Sequence, residues 1–219
     1  SWDKKLSTSE MANTIHVCVE NKITTFDHAA IYGDYTTETD FGKAFKSSKI
    51  ERKKIQLISK CGMIKPAPNS TQVKQYESSK ESMIKSVDAS LKNLQTDYLD
   101  VLLIHRPNPL MQVDEVAEAV SQLKKEGKIL DFGVSNFTAS QTELLRSKVE
   151  VNYNQIQFSA THFDAMIDGS LDYMQVHGIQ PMAWNPLGTV FREDTRQTRD
   201  LKKLLARLVE KYEVGSDMI

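Results

Sequence analysis

The sequence predicts an α/β fold, a (β/α)8 TIM barrel, from three observations. Segments typical of buried strands alternate with amphipathic helical segments along most of the 219 residues, and this alternation implies right-handed crossovers and a parallel sheet. No Gly-x-Gly-x-x-Gly motif follows any predicted strand, which argues against a doubly wound dinucleotide-binding sheet. Unusual polar residues cluster where the strands end, and in a barrel those ends lie on one rim.

The first half of the chain opens with a helix, because Ser7 and Glu10 have capping-box spacing and an apolar helical pattern follows to about residue 21. Ser78 and Glu81 have the same spacing and predict the start of a later helix. The other predicted elements of this half are strands over residues 23–29 and 55–59, helices over 37–47 and 78–94, and a polar loop with Pro66 and Pro68.

The second half repeats the alternation of strand and helix. Gly127 marks the end of one helix, and Thr138 with Gln141 predicts the cap of another. The predicted elements are strands over residues 98–104, 129–134, 151–158 and 179–184, and helices over 113–126, from 138, 166–177 and 196–212.

Six predicted strands are too few to close a standard barrel. The chain opens on a helix and ends at Gly-Ser-Asp-Met-Ile, where the pattern of another helix begins. We therefore expect residues 1–219 to form a single barrel domain that lacks its first strand, its eighth strand and its last helix.

Composition narrows the class of protein. Lys and Arg number 28 against 29 Asp and Glu, so there is no basic field for nucleic acid or an anionic membrane. No apolar run is long enough to span a bilayer, and no signal-peptide pattern opens the chain. Cys18 and Cys61 have no zinc-like spacing and predict free thiols in the cytoplasm. His28 and His162 have no metal-ligand spacing, so no metal is expected; no surface patch in the sequence assigns an oligomeric state.

Four polar residues at or just after the strand ends form a candidate catalytic set: Asp27, Tyr32, Lys60 and His105. A tyrosine hydroxyl has a pKa of about 10, so it is a poor proton donor at neutral pH. We expect Lys60 to lower the pKa of Tyr32 and Asp27 to keep Lys60 charged. Tyr32 would then be a general acid, and a neutral His105 would orient a carbonyl oxygen. The set suits protonation of the alkoxide that forms when hydride reduces a carbonyl.

These segments resemble the aldo-keto reductase family. FDHAAIYG is similar to the family's Asp-x4-Tyr segment, ISKCG to its lysine strand and LLIHRP to its histidine strand. GVSNF, NQIQF and AWNPLG follow in the family's order, each at its matching strand. The resemblance covers almost the whole chain and is closest to bacterial members. It implies NADPH bound in an extended form without a Rossmann domain, 4-pro-R hydride transfer, and a small-molecule aldehyde or ketone as substrate.

The resemblance also implies which residues contact the cofactor. Ser135, Asn136 and Gln155 match the ligands of the nicotinamide carboxamide, and Trp184 matches the aromatic residue that stacks on the nicotinamide. The positions that match pyrophosphate contacts are Asn185, Leu187 and Gly188.

Two departures from the family pattern limit what the resemblance implies. No segment resembles the family's site for the 2′-phosphate, so the preference for NADPH over NADH is inherited from the family. Most of the first substrate loop is absent from these residues, with Trp2 as a candidate remnant, and KCGMIKPAPNS is the sizeable loop left to select a substrate.

Other functions remain open at this point. Each residue of the set has a structural explanation by itself, as a strand-end cap, a packed turn aromatic, a solvated lysine or a core histidine. Lys60 at a barrel strand end also suits a Schiff-base aldolase, although the cofactor positions would then be unexplained. A cofactor-binding regulatory subunit of the same fold with little turnover is the second class of function, and assay against a reactive aldehyde would separate it from a reductase.

Overall fold

The computed structural model describes residues 6–66 and 73–219, so the predictions for Trp2 and Pro68 lie outside the described residues. The chain divides into two compact units, residues 1–153 and 154–219. The single domain over residues 1–219 stays a prediction, and each unit is described by itself.

The first unit is a four-stranded parallel sheet with its helices and one short hairpin. The sheet strands pair in the order β1, β2, β5 and β6, and β3 pairs with β4 in antiparallel orientation. The elements are α1 (Thr8–Glu20), β1 (Thr25–Asp27), α2 (Thr37–Ser48), a 3-10 turn (Arg52–Lys54), β2 (Gln56–Cys61), β3 (Met63–Ile64), β4 (Gln75–Tyr76), α3 (Lys80–Leu94), β5 (Leu99–Ile104), α4 (Val113–Lys125), β6 (Ile129–Ser135) and α5 (Ala139–Arg146).

The core of this unit lies between the sheet and its helices. Leu57, Leu102 and Phe132 of the strands are fully buried and share one hydrophobic cluster with Met83 and Val120 of the helices. Successive side chains of a strand point to opposite faces of the sheet. The residues between these core positions therefore face the other side of the sheet, where polar side chains can lie.

The second unit contains two strands and two helices. Phe158 N donates to Trp184 O at 3.4 Å, and a small cluster of Ile156, Ala165, Met174 and Ile179 is buried. The elements are β7 (Tyr153–Gln157, which starts at the unit boundary), a 3-10 turn (Asp164–Met166), α6 (Ser170–Val176), β8 (Gln180–Trp184) and α7 (Arg196–Tyr212).

Several local predictions are confirmed. Capping boxes form at Ser7 with Glu10 and at Thr138 with Gln141, and α7 has the predicted bounds. Cys18 and Cys61 are free thiols, and burial raises the pKa of Cys61 to about 12.

Three predictions of element boundaries are wrong. β1 covers Thr25–Asp27 rather than residues 23–29, because its regular pairing with β2 runs only from Thr25 to Asp27. Ser79, not Ser78, caps α3 through Ser82 N. α6 begins at Ser170 rather than 166, because Gly169 with a φ of 83° interrupts the helical backbone.

The polar loop predicted around Pro66 contains a hairpin that the sequence analysis missed. Met63 pairs with Tyr76 and Ile64 with Gln75. Each strand has only two residues, too few for an alternating apolar pattern to be recognised.

Candidate active site

The first unit gathers the four predicted catalytic residues where its parallel strands end. Asp27 is the last residue of β1, Lys60 is the second-last residue of β2, and His105 directly follows β5. Tyr32 lies in the turn after β1, where its backbone N donates to Ala29 O at 3.0 Å. Because β1, β2 and β5 are neighbours in register, residues from three distant parts of the chain meet.

Lys60 is the centre of this group. Its side chain is fully buried, and Nζ donates to both carboxylate oxygens of Asp27 at 2.7 Å. Nζ also contacts the backbone oxygen of His28 at 2.9 Å and Oη of Tyr32 at 3.4 Å. Burial lowers the pKa of Lys60, and Asp27 opposes that shift. Sequence reasoning missed the carbonyl of His28, because every residue has a backbone carbonyl and the sequence does not show which one binds a side chain.

Tyr32 does not have the predicted pKa. Burial, and next the carboxylate of Asp27, raise its pKa to about 12, while Arg106 acts in the opposite direction. The expectation that Lys60 lowers the pKa of Tyr32 is therefore wrong for this structure. The physical reason is that burial, and after it the carboxylate of Asp27, disfavours the phenolate form of Tyr32.

His105 lies against Tyr32. The two ring centroids are 5.7 Å apart in an edge-to-face arrangement. Burial, and next the positive charges of Lys60, Arg106 and Lys74, lower the pKa of His105 to about 3. The imidazole is therefore neutral at physiological pH, as predicted, and can act as a hydrogen-bond donor through one nitrogen.

Ser135 is the last residue of β6 and Asn136 follows it, beside the end of β5 that His105 follows. Asn136 has a left-handed φ of 61°, and its Nδ2 donates to Ser135 Oγ at 2.8 Å and contacts His105 O at 3.5 Å. Ser135 is buried. A hydroxyl and an amide side by side supply both donors and acceptors, so this pair fits the carboxamide that the family resemblance assigns to it.

The remaining predicted cofactor residues belong to the second unit. Gln155 is buried in β7, and Trp184 is half-buried at the end of β8. A Cβ at Gly188 would collide with the side chains of Thr161 and Ser159, and its φ is 57°. Gly188 is therefore required for close packing against these two side chains, and its contact with pyrophosphate stays a prediction.

The segment after β8 contains a functional candidate that sequence reasoning missed. Arg192 Nη2 donates to Asn185 Oδ1 at 2.7 Å and to Gly188 O at 2.9 Å. Asn185 has a left-handed φ of 53°, and Leu187 between them is 50% exposed. Arg192 therefore holds the predicted pyrophosphate segment in place through these two hydrogen bonds.

In residues 6–66 and 73–219 no group of three or more His, Cys, Asp or Glu side chains could hold a metal ion. Within the same ranges no helix is long and apolar enough to cross a membrane.

Comparisons with known proteins identify the family and several relatives of the chain. The model of the aldo/keto reductase family matches residues 1–213. Oxidoreductase YdhF of Escherichia coli is 40% identical over 218 residues, which are 98% of this chain and 72% of that protein. A 6-dehydroglucose reductase of Agrobacterium fabrum is 39% identical over 190 residues, 85% of this chain and 64% of that protein.

Solved structures agree with the predicted fold class. A thermostable aldo-keto reductase crystallised with the inhibitor epalrestat matches with a TM-score of 0.79 and 26% identity, over 95% of this chain and 70% of that chain. The predicted (β/α)8 barrel class is confirmed by this likeness. The chain therefore belongs to the aldo/keto reductase family of oxidoreductases.

Proposed function

We propose that the protein is an NADPH-dependent reductase that converts an aldehyde or ketone to an alcohol, with Tyr32 as the general acid. The observation that carries the proposal is the continuous contact from Asp27 through Lys60 to Tyr32, with a neutral His105 against the same ring. A buried lysine held by a carboxylate, next to a protonated phenol, is an arrangement for giving a proton to a strong base.

The cofactor, when bound, supplies the hydride for the carbonyl carbon. By the family resemblance, Ser135 and Asn136 would bind its carboxamide. Gln155 and Trp184 match a further carboxamide ligand of the family and the aromatic residue that stacks on the nicotinamide. Asn185, Leu187 and Gly188 would contact its pyrophosphate. NADPH rather than NADH is proposed from the family resemblance alone.

Proton transfer is the step that the described residues support best. With a pKa of about 12, Tyr32 keeps its proton at neutral pH. An alkoxide is a much stronger base than a phenolate, so transfer from Tyr32 to the alkoxide is downhill. Lys60, 3.4 Å from Oη, would stabilise the phenolate as it forms. His105 would donate a hydrogen bond to the carbonyl oxygen and hold it near the acid.

The substrate is proposed as a small molecule with a reactive carbonyl. One relative is named a 6-dehydroglucose reductase, which makes carbonyl sugars a reasonable set for the first substrate screen. The free thiols Cys18 and Cys61 support the proposal of a cytoplasmic location.

The test is loss of NADPH absorbance with 4-nitrobenzaldehyde, measured for the wild-type protein and for Tyr32→Phe. The variant should lose about 10²–10⁴-fold in kcat, the usual contribution of a general acid. It should retain NADPH binding, measured as quenching of Trp184 fluorescence with Trp184→Phe as the control for that signal.

Each outcome decides between functions. Turnover that disappears in Tyr32→Phe supports the reductase, whereas equal turnover in both proteins rejects Tyr32 as the acid. Quenching without turnover would favour the cofactor-binding regulatory subunit. Neither turnover nor quenching, from folded protein, would reject the cofactor assignment.

A further inference from the structure

The turn that follows Tyr32 has an unusual backbone. Gly33, Asp34 and Tyr35 have φ angles of 57°, 52° and 69° in succession, all in the left-handed region. Residues with a Cβ adopt this region at a cost in free energy, and such conformations persist only where the surroundings hold them. The turn that carries the proposed acid therefore depends on contacts from outside it.

The outside contacts come from the segment of β3. Tyr35 Oη accepts a hydrogen bond from Lys65 N at 2.7 Å and donates one to Lys65 O at 3.3 Å. Lys65 Nζ also donates to Asp34 Oδ1 at 2.6 Å, but the Asp34 side chain is 83% exposed, so this ion pair contributes little. The phenol of Tyr35 supplies the less exposed hydrogen bonds between the turn and the segment of β3.

The other strand of the same hairpin is bound to the loop after His105. Asn108 Nδ2 donates to Tyr76 O at 3.0 Å. Tyr76 pairs with Met63 across the hairpin, and Met63 belongs to the buried cluster against which Tyr32 packs. One hairpin therefore contacts the flanks of both the proposed acid and the proposed donor to the carbonyl oxygen.

We propose that the β3–β4 hairpin sets the position of Tyr32 relative to His105, and that Tyr35 and Asn108 are the positioning residues that bind it to the two flanking loops. The inference rests on the proposed function of this site. Loss of either contact loosens one side of the hairpin, and this weakens the connection between the two loops. The two residues therefore act as a pair, although their positions are far apart in the sequence.

Two conservative variants test this pair. Tyr35→Phe removes both hydrogen bonds to Lys65, and Asn108→Asp removes the donor to Tyr76 while keeping the side-chain oxygen that accepts from Leu110 N. Each should lower kcat for 4-nitrobenzaldehyde roughly tenfold, less than the ~100-fold that a 1 Å misplacement can cost. NADPH affinity should not change.

The double variant supplies the sharper kinetic readout. Independent effects on kcat would multiply, whereas a shared hairpin predicts that the double variant falls short of that product by a factor of at least about three. The solvent deuterium isotope effect on kcat should rise in both single variants, because proton donation from Tyr32 becomes slower. Lys65→Met, which removes only the exposed ion pair with Asp34, should behave as wild type.

Hydrogen exchange of the same proteins tests the hairpin without turnover. Asn108→Asp should speed exchange of the amides of residues 32–37 as well as those around residue 108, because the hairpin connects the two loops. Faster exchange confined to residues 105–111 would overturn the proposal, as would effects on kcat that multiply in the double variant.

Tyr32→Phe separates this inference from the proposed function. If Tyr32→Phe abolishes turnover while Tyr35→Phe and Asn108→Asp leave kcat unchanged, only the positioning role is rejected. If Tyr32→Phe turns over like wild type, the general acid is rejected, and hydrogen exchange still decides whether the hairpin connects the two loops.

Discussion

At the scale of single residues, the charge of Asp27 controls two of its neighbours. The carboxylate raises the pKa of Lys60 against the effect of burial, and it adds to the effect of burial on the pKa of Tyr32. Both shifts keep protons in the site. Lys60 in turn contacts the carbonyl of His28, so its ammonium has acceptors for each of its protons.

Asp27→Asn should therefore change the pH dependence of catalysis and not only its rate. Without the carboxylate the pKa values of Lys60 and Tyr32 both fall, so the alkaline limb of the kcat profile should move to lower pH. We expect kcat at neutral pH to fall roughly 10²-fold. The measurement is a pH–rate profile of both proteins.

Asp34→Asn is the matched control for that experiment. It removes an exposed carboxylate two residues after Tyr32, whose ion pair with Lys65 contributes little to stability. Its profile should superimpose on that of the wild-type protein. A profile of Asp27→Asn that also superimposes would exclude control of these pKa values by Asp27.

At the scale of elements, the approach of α2 to α3 depends on a glycine. A Cβ at Gly42 would lie 2.8 and 2.9 Å from the carbonyl carbon and Cα of Leu94, and it would also collide with Asn93 O. These are backbone atoms and cannot move aside as a side chain would. Because α2 also carries Phe41 and Phe45 into the core, its distance from α3 affects the packing behind β1 and β2.

Gly42→Ala should destabilise the protein, although the same change in an open helix stabilises it by roughly 0.5–1 kcal/mol. Overpacking against α3 should lower the free energy of unfolding by about 1–3 kcal/mol. Lys43→Ala, on the exposed face of α2, should stay within about 0.5 kcal/mol of wild type. Urea denaturation of the three proteins measures this, and a more stable Gly42→Ala would contradict the close approach.

At the scale of the whole molecule, buried neutral histidines couple folding to pH. Neither ring nitrogen of His28 has a hydrogen-bond partner among residues 6–66 and 73–219, and its ring packs against Phe41 at 4.4 Å between centroids. Burial, and next Lys60, lower the pKa of His28 to about 4. His105 has a pKa of about 3, chiefly because of burial.

Acid should therefore destabilise the fold before the carboxylates titrate. Below the ordinary histidine pKa of 6.5, His28 is protonated in the unfolded chain but stays neutral in the folded protein. The stability that is present above that pH is therefore lost as the pH falls toward about 4. The loss from His28 should be on the order of 2–3 kcal/mol. His28→Phe should reduce the dependence of the free energy of unfolding on pH in this range. At neutral pH the free energy of unfolding should change little or increase.

The free energy of unfolding measured by urea across this pH range checks the prediction. His16→Gln, which changes an exposed histidine on α1, is the control and should follow the wild-type curve. A His28→Phe curve that keeps the full wild-type slope would assign the acid sensitivity to other groups.

The sequence by itself determined features that depend on near neighbours or on order along the chain. Ser7 with Glu10 marks the start of α1, and α7 spans the predicted residues, because capping and helical periodicity act over a few positions. The order of the motifs around Asp27, Lys60 and His105 indicated the family for a similar reason, since each motif is a short segment at the end of its own strand.

Only the tertiary structure decided the properties that depend on distance through space. The raised pKa of Tyr32 follows from burial and from a carboxylate that also occupies Lys60. Tyr35 meets Lys65 across 30 positions, and Arg192 bends back to Asn185. Such contacts depend on how whole helices and strands pack. A local sequence pattern does not show which distant side chains this packing brings together, or how far it excludes water from them.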